Sequence, residues 1–240
     1  MLTRFLSPEV RRARRMARIA RWSRPIAGPV SRLRAWTNML IIDHGIFRLA
    51  YLNRHQVSDR LWRSAQPMPH QIAWFAAQGV RTVVNLRGGR EYGSWPLEQE
   101  ACERYGISLV EFVLRSREPP DRDTLLSAKK LFLNLQYPVL VHCKSGADRA
   151  GLFAALYLLG HEGCSAGAAM RQLALRYGHL RYAKTGILDA FLELYRTEGE
   201  ARGLSFFEWV ERIYDPQALR HSFKPGFWSN AIVKEVQRRE

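Results

Sequence analysis

Cysteine is scarce in this chain of 240 residues: Cys102, Cys143 and Cys164 offer neither a disulfide framework nor the paired spacing of a metal site. A reducing compartment suits such a set. Acids are also few, 22 against 37 lysines and arginines, which leaves a formal charge of +15 and a pI near 10.4. That balance points to polyanions, either phosphorylated substrates or an anionic membrane surface, and less to nucleic acid. Long apolar runs are missing as well. The best stretch, residues 39–52, is interrupted by Asp43, His44 and Arg48, short of the roughly 18 apolar residues a spanning helix needs. No apolar run follows the N-terminal arginines, so a secretory or twin-arginine signal is not expected. The expected location is cytoplasmic, with peripheral attachment to a membrane as an extension of that reading. No internal repeat is apparent.

Against these shortages stands an apolar content of 47%, enough for one sizeable core. Arginine is concentrated at the start. Residues 1–36 hold ten arginines and one acid, Glu9, a local charge of +9. Leu2, Phe5, Leu6, Val10, Ala13, Met16, Ala17 and Ala20 recur at helical spacing, which predicts a basic amphipathic arm ending near Pro25. Such an arm is either an interfacial helix drawn to anionic headgroups or a solvated basic tail. A second helix is expected over residues 30–43, closed by His44 and Gly45, as a lid or connector over residues 37–56.

From residue 57 the pattern changes. Strand pieces at Val57 and at Leu61 and Trp62 flank a turn, and helices are predicted over 69–78, 96–105 and 124–136. Between them lie strands over 81–86, 107–114 and 139–142, an alternation that predicts a mostly parallel sheet with helices on both faces. Further helices are expected over 150–159, 165–177, 187–195 and 206–214. The tail from Pro216 onward, with Phe223, Pro225, Phe227 and Trp228, has no assigned role. This divides the chain into an arm (1–36), a connector (37–56), a core domain (57–200) and a helical extension (201–240).

The chain centres on residues 139–160, VLVHCKSGADRAGLFAALYLLG. A buried strand runs directly into Cys143, a small polar loop follows, and Arg149 closes it at the start of an apolar helix. Unpaired N–H groups and the positive end of the helix dipole make such a loop an anion site. The same field favours a thiolate over a thiol, and a guanidinium adds to it. Arg149 also presents a planar fork that matches two phosphate oxygens. These residues predict a nucleophilic thiolate facing a bound phosphoryl group, at the carboxyl end of a strand, where ligands of such sheets sit.

HCKSGADRAG resembles the signature of the cysteine-dependent protein tyrosine phosphatase superfamily: His-Cys, five residues, then Arg. The segments LWRSAQP and TVVNLR are similar to those of compact bacterial, plant and fungal dual-specificity-like phosphatases, over residues 57–180. The resemblance implies an α/β phosphatase fold and phosphomonoester hydrolysis through a cysteinyl-phosphate, with no metal or cofactor. Cys143 would attack phosphorus, and Arg149 with the N–H groups of Lys144, Ser145, Gly146, Ala147 and Asp148 would stabilise the transition state. His142 would orient the loop. A phosphotyrosine protein, or a phospholipid or inositol phosphate, would be the substrate, and a pseudophosphatase is the remaining reading.

The resemblance also requires a general acid. Asp148 is preferred, as in relatives with a Gly-x-Asp-Arg loop, and Glu118 comes next; Asp121 and Asp123 are as readily explained by helix capping. Ala150 departs from the family pattern, which has a hydroxyl there that aids breakdown of the phosphoenzyme. Arg63 reads as a structural arginine beneath the loop that needs partners if buried. Lys144 reads either as a selector of acidic substrates or as a solvated lysine. Arg87, Arg90, Arg115, Arg117, Tyr177 and His179 are candidates for the rim.

Overall fold

Two segments lack any polar alternation, and both become central strands. The computed structural model describes residues 7–223. In it β3 (Thr82–Asn85) and β5 (Val139–Cys143) are buried at every position. Strands enclosed on both faces read as continuous apolar runs, which is how parallel sheets are covered. With β1 (His55–Ser58), β2 (Leu61–Ala65) and β4 (Ser108–Glu111) they form a five-stranded sheet in the order β1-β2-β5-β3-β4. All neighbours are parallel except β1, which pairs antiparallel with β2 at one edge. This is the α/β architecture expected.

Alternate residues of the central strands feed opposite faces. Val84 and Val141 join α6 (Arg122–Asn134), α7 (Asp148–Gly160) and α9 (Ile187–Glu198) in the larger core. Val83 and Leu140 pack with Ile72 and Phe75 of α4 (Pro69–Ala77) and Ala101 and Cys102 of α5 (Ser94–Arg104). The helix after Cys143 is the most enclosed, with every residue from Ala150 to Leu159 buried. α10 (Phe206–Arg212) and α11 (Pro216–Ser222) belong to the same core: Trp209 is fully buried and Phe191 of α9 meets both Trp209 and Tyr214. Packing therefore continues through residue 200. Of the tail singled out above, Pro216–Ser222 form α11 and Phe223 packs against this core, while Pro225, Phe227 and Trp228 lie outside the described residues.

The N-terminal segment is helical: α1 (Pro8–Trp22), α2 (Pro29–Thr37), a π-turn (Asn38–Ile42) and α3 (Ile46–Ala50). Ser7 caps α1 through its hydroxyl. Leu2, Phe5 and Leu6 of the expected stripe lie outside the described residues. A third small core of Ala35, Met39, Met68 and Leu97 attaches α2 and the π-turn to α5.

Two expected elements differ. The strand over 107–114 is ordered only from Ser108 to Glu111, and Phe112 and Leu114 continue beside β3 through single backbone bonds. The helix over 165–177 is interrupted: α8 (Ala166–Met170) ends early and Leu175–Tyr177 form a 3₁₀ turn. Between them the carbonyl of Gln172 is taken by the Arg63 guanidinium, and Leu173 turns into the core. Those tertiary partners outweigh helix propensity, which is worth only tenths of a kcal/mol per residue.

Candidate active site

Strand pairing sets the stage. Cys143 is the last residue of β5 and lies in register with Ala65 of β2, while His142 pairs with both Ser64 and Asn85. The thiol therefore stands at the carboxyl edge of the sheet centre, 2% exposed, with α7 starting five residues later at Asp148. The intervening loop passes so close to β2 that Gly146, at φ +75°, has no room for a side chain: a Cβ would lie 2.6 Å from the Ala65 nitrogen. Gly151 is confined in the same way, its Cβ position 2.6 Å from the Gln172 carbonyl.

What holds the loop in shape is a set of donors behind it. Arg63, fully buried on β2, donates through Nη2 to the carbonyls of Gly146 (2.8 Å) and Ala147 (2.9 Å), and through Nη1 to the Gln172 carbonyl (2.6 Å) and Oε1 (3.0 Å). Its guanidinium also lies over the Tyr177 ring at 4.0 Å. Burial pushes the Arg63 pKa down to about 10, which leaves it charged at neutral pH. Asn53 donates from one amide nitrogen to the Ser145 and Tyr177 carbonyls, each at 2.9 Å. Peptide units are planar, so holding these carbonyls outward turns the N–H groups toward the inside of the loop. That is the concavity a tetrahedral anion fits.

A second buried cluster lies beneath the thiol's own strand. His142 Nε2 is 2.7 Å from Glu98 Oε1, both side chains fully enclosed. Glu98 Oε2 accepts from Asn85 (2.7 Å) and Gln66 (3.1 Å). His142 thus faces the Glu98 carboxylate of α5, which Asn85 of β3 and Gln66 hold in place beside the strand leading into Cys143.

The rim is assembled from more distant segments. Arg149 turns its Nη1 toward the carbonyls of Leu86 (3.4 Å) and Arg87 (3.3 Å) at the end of β3. Arg87 forks onto Asp43 with two 2.6 Å bonds and also donates to Gln66. Asp43, fully buried, receives Arg48 (3.1 Å) and Ser94 (3.0 Å) besides, and Lys144 Nζ stands 3.5 Å away. Burial raises the Asp43 pKa, but these guanidiniums outweigh it and hold the carboxyl below its ordinary range. Lys144 thereby lies along the rim with its side chain 41% exposed.

The two preferred acid candidates part company. Asp148 Oδ1 is 2.7 Å from His179 Nδ1, and His179 Nε2 is 2.6 Å from Asp189 Oδ2, with Arg181 donating to Asp189 at 3.0 Å. Burial works against charge on His179, yet its hydrogen bonds to the two aspartate carboxylates prevail and lift its pKa to about 9. Glu118 instead pairs with Arg115 at 2.8 Å, lies 3.6 Å from Arg220, and lines a separate cleft with Pro216 and Gln217. Asp121 caps α6 through Thr124. Of the other rim candidates, Arg90 pairs with Glu111.

This geometry can be set beside known proteins. Residues 49–182, just over half of the chain, match the family model described as DSP-PTPase phosphatase fused to NAD+ Kinase. The chain belongs to that phosphatase family. The match takes in Arg63, the Cys143 loop and His179, and stops short of Asp43 and Asp189. The chain is 29% identical over 129 residues to the dual specificity protein phosphatase TpbA of Pseudomonas aeruginosa, covering 51% of this chain and 53% of that one. It is 29% identical over 105 residues to the inositol diphosphatase DSP3 of Arabidopsis thaliana, covering 41% and 50%. The chain thus spans about half the length of the curated relatives it matches. Among solved structures, the DUF442 protein of Shewanella putrefaciens CN-32 superposes with a TM-score of 0.51 at 21% identity, over 64% of this chain and 95% of that one. That likeness shows the fold.

Sequence reading named the loop but missed Asp43, Asn53, Glu98 and Asp189. Two of these left a trace. Asp43 interrupts the most apolar stretch of the chain, and Glu98 falls three residues after Trp95 and four before Cys102, on the buried stripe of α5. Asn53 left a trace only in its backbone, at φ +51°.

Proposed function

We propose that this chain hydrolyses phosphomonoesters through a cysteinyl-phosphate. The observation that carries this reading is the Cys143 loop, its carbonyls drawn outward by Arg63 and Asn53 and its end running into the N-terminus of α7. In the first step the Cys143 thiolate attacks phosphorus, a sulfur–phosphorus bond forms and the ester P–O bond breaks, the leaving oxygen taking the proton shared by Asp148 and His179 across their 2.7 Å contact. In the second, water attacks phosphorus, gives its proton to Asp148, and the thiolate departs. The loop N–H groups and Arg149 stabilise the phosphoryl oxygens through both transition states. His179 acts through Asp148, positioning it. Ala150 brings no hydroxyl to the sulfur, so breakdown of the phosphoenzyme is the slower step.

For the substrate, the half-exposed Lys144 on the rim favours a molecule with a second anionic group beside the reacting phosphate, a phospholipid or inositol phosphate, over a singly phosphorylated tyrosine side chain. The names of the relatives include a dual specificity protein phosphatase and an inositol diphosphatase, one for each class. Replacing Cys143 with serine should lower phosphate release from an aryl phosphate by at least about 10³-fold with the fold intact. Unchanged turnover would sink the mechanism. A wild-type chain that binds vanadate but shows no burst of leaving group would make it a phosphate-binding pseudophosphatase instead.

A further inference from the structure

In a helix packed on a globular core the apolar stripe faces inward. In α1 it faces away. Arg15 and Arg18 bond Glu91 at 2.8 and 2.9 Å, and Ile19 and Trp22 are the half-buried positions, so these four mark the side toward the protein. At about 100° per residue, Val10, Ala13, Met16, Ala17 and Ala20 centre on the opposite side. Val10 is 41% and Met16 57% exposed. Arg14 and Arg21 lie along the margin of that stripe.

The exposed apolar surface does not stop at α1. In the π-turn and α3, Ile41, Ile42, Ile46, Phe47 and Leu49 are all exposed, Ile42 at 58% and Phe47 at 71%. Val30 and Leu33 of α2 are exposed too. A cleft of about 890 Å³ lies between the C-terminal end of α1, α2 and the π-turn, with Arg21, Arg24 and Arg34 around Trp22, Leu33 and Ile42. Scattered apolar residues are ordinary on a protein surface, but runs of them on consecutive helices, interleaved with arginines, mark a partner. The charge identifies that partner: of the ten arginines in residues 8–51, Arg48 is buried on Asp43 and Arg15, Arg18 and Arg32 pair with Glu91 and Glu100, which leaves Arg11, Arg12, Arg14, Arg21, Arg24 and Arg34 exposed against one exposed acid of that segment, Glu9.

We propose that this face docks on an anionic phospholipid bilayer, its apolar side chains entering the headgroup boundary and its arginines pairing with lipid phosphates. The face also borders the candidate active site. Ile42 adjoins Asp43, which holds Arg87 and faces Lys144, and the exposed Tyr51 donates to Asn53, which in turn donates to the loop at Ser145. A bilayer held here would bring its phosphates to the Cys143 rim. Docking itself depends on none of the chemistry assigned to Cys143.

The test is sedimentation of the full chain with vesicles of phosphatidylcholine alone or mixed with phosphatidylglycerol, at about 0.1 M salt. Wild type should bind the anionic vesicles, leave the neutral ones, and release as salt rises. The I42E/F47E and R14E/R21E variants, all at exposed positions, should each bind at least about tenfold more weakly while keeping the wild-type melting curve. No binding by wild type to anionic vesicles would overturn the proposal, as would equal binding by wild type and I42E/F47E. Failure to bind vesicles together with a dimer on gel filtration that I42E/F47E dissolves would assign the face to a second copy of the chain.

Discussion

The Cys143 loop and the N-terminal arm are both built around arginine, and they use it in opposite ways. Arg63 is fully buried and gives four hydrogen bonds to the loop and to Gln172. Arg15 and Arg18 are 58% and 50% exposed and share one carboxylate, Glu91. A buried cation that loses its partners costs several kcal/mol, whereas an exposed pair competes with water and salt for little net gain. The contrast separates a site held in one shape from an appendage held lightly enough to meet a second surface.

The sharpest way to break the comparison is at Arg63. Arg63→Met should strip the Gly146 and Ala147 carbonyls of their donor, lower unfolding stability by about 3 kcal/mol or more, and remove phosphatase activity with it. Urea unfolding and turnover of an aryl phosphate measure the two effects. A stable, active Arg63→Met variant would mean that the loop holds its shape without that support.

His179 tests the edge of the site. Its pKa is raised from 6.5 to about 9 in the fold, so the folded state holds its proton more tightly than the unfolded chain does. The stability it contributes is fully present below about pH 6.5 and is lost as pH climbs through about 9. Thermal melts of wild type should show a decline over that window, and His179→Gln should flatten it. If His179 positions Asp148, the variant should also lower kcat more than it raises KM; a pH profile identical to wild type would remove it from the mechanism.

The smallest effect belongs to the arm. Arg15→Ala with Arg18→Ala should change unfolding stability by less than about 1 kcal/mol, since both pairs are solvent-screened. A loss comparable with that of Arg63→Met would erase the distinction between the two regions.

Much of the core was legible because strand and helix patterns are short-range. The continuous apolar runs of β3 and β5, the proline that opens α4 and the glycine after it are contained in a few consecutive residues each. The helix expected over 165–177 failed for the complementary reason: its interruption is imposed by Arg63, 109 positions away in sequence. At the site the same division holds. Arg63 could be read as a buried arginine in need of partners, but which carbonyls it would reach could not. Asp148 was preferred to Glu118 as the acid in sequence, but only the fold set Asp148 against His179 while pairing Glu118 with Arg115.

By itself, the sequence determined a strand, a thiol, an anion-sized loop and a helix in immediate succession, together with the family to which that succession points. It also determined the basic, amphipathic character of the arm. The tertiary structure alone decided that Asn53 and Arg63 hold the loop's carbonyls, that Asp43 reaches the rim from outside the matched domain, and that α1 turns its apolar stripe outward. Each of these depends on contacts between segments far apart in the chain. Local periodicity sets which face of an element is apolar, but only packing chooses what that face meets.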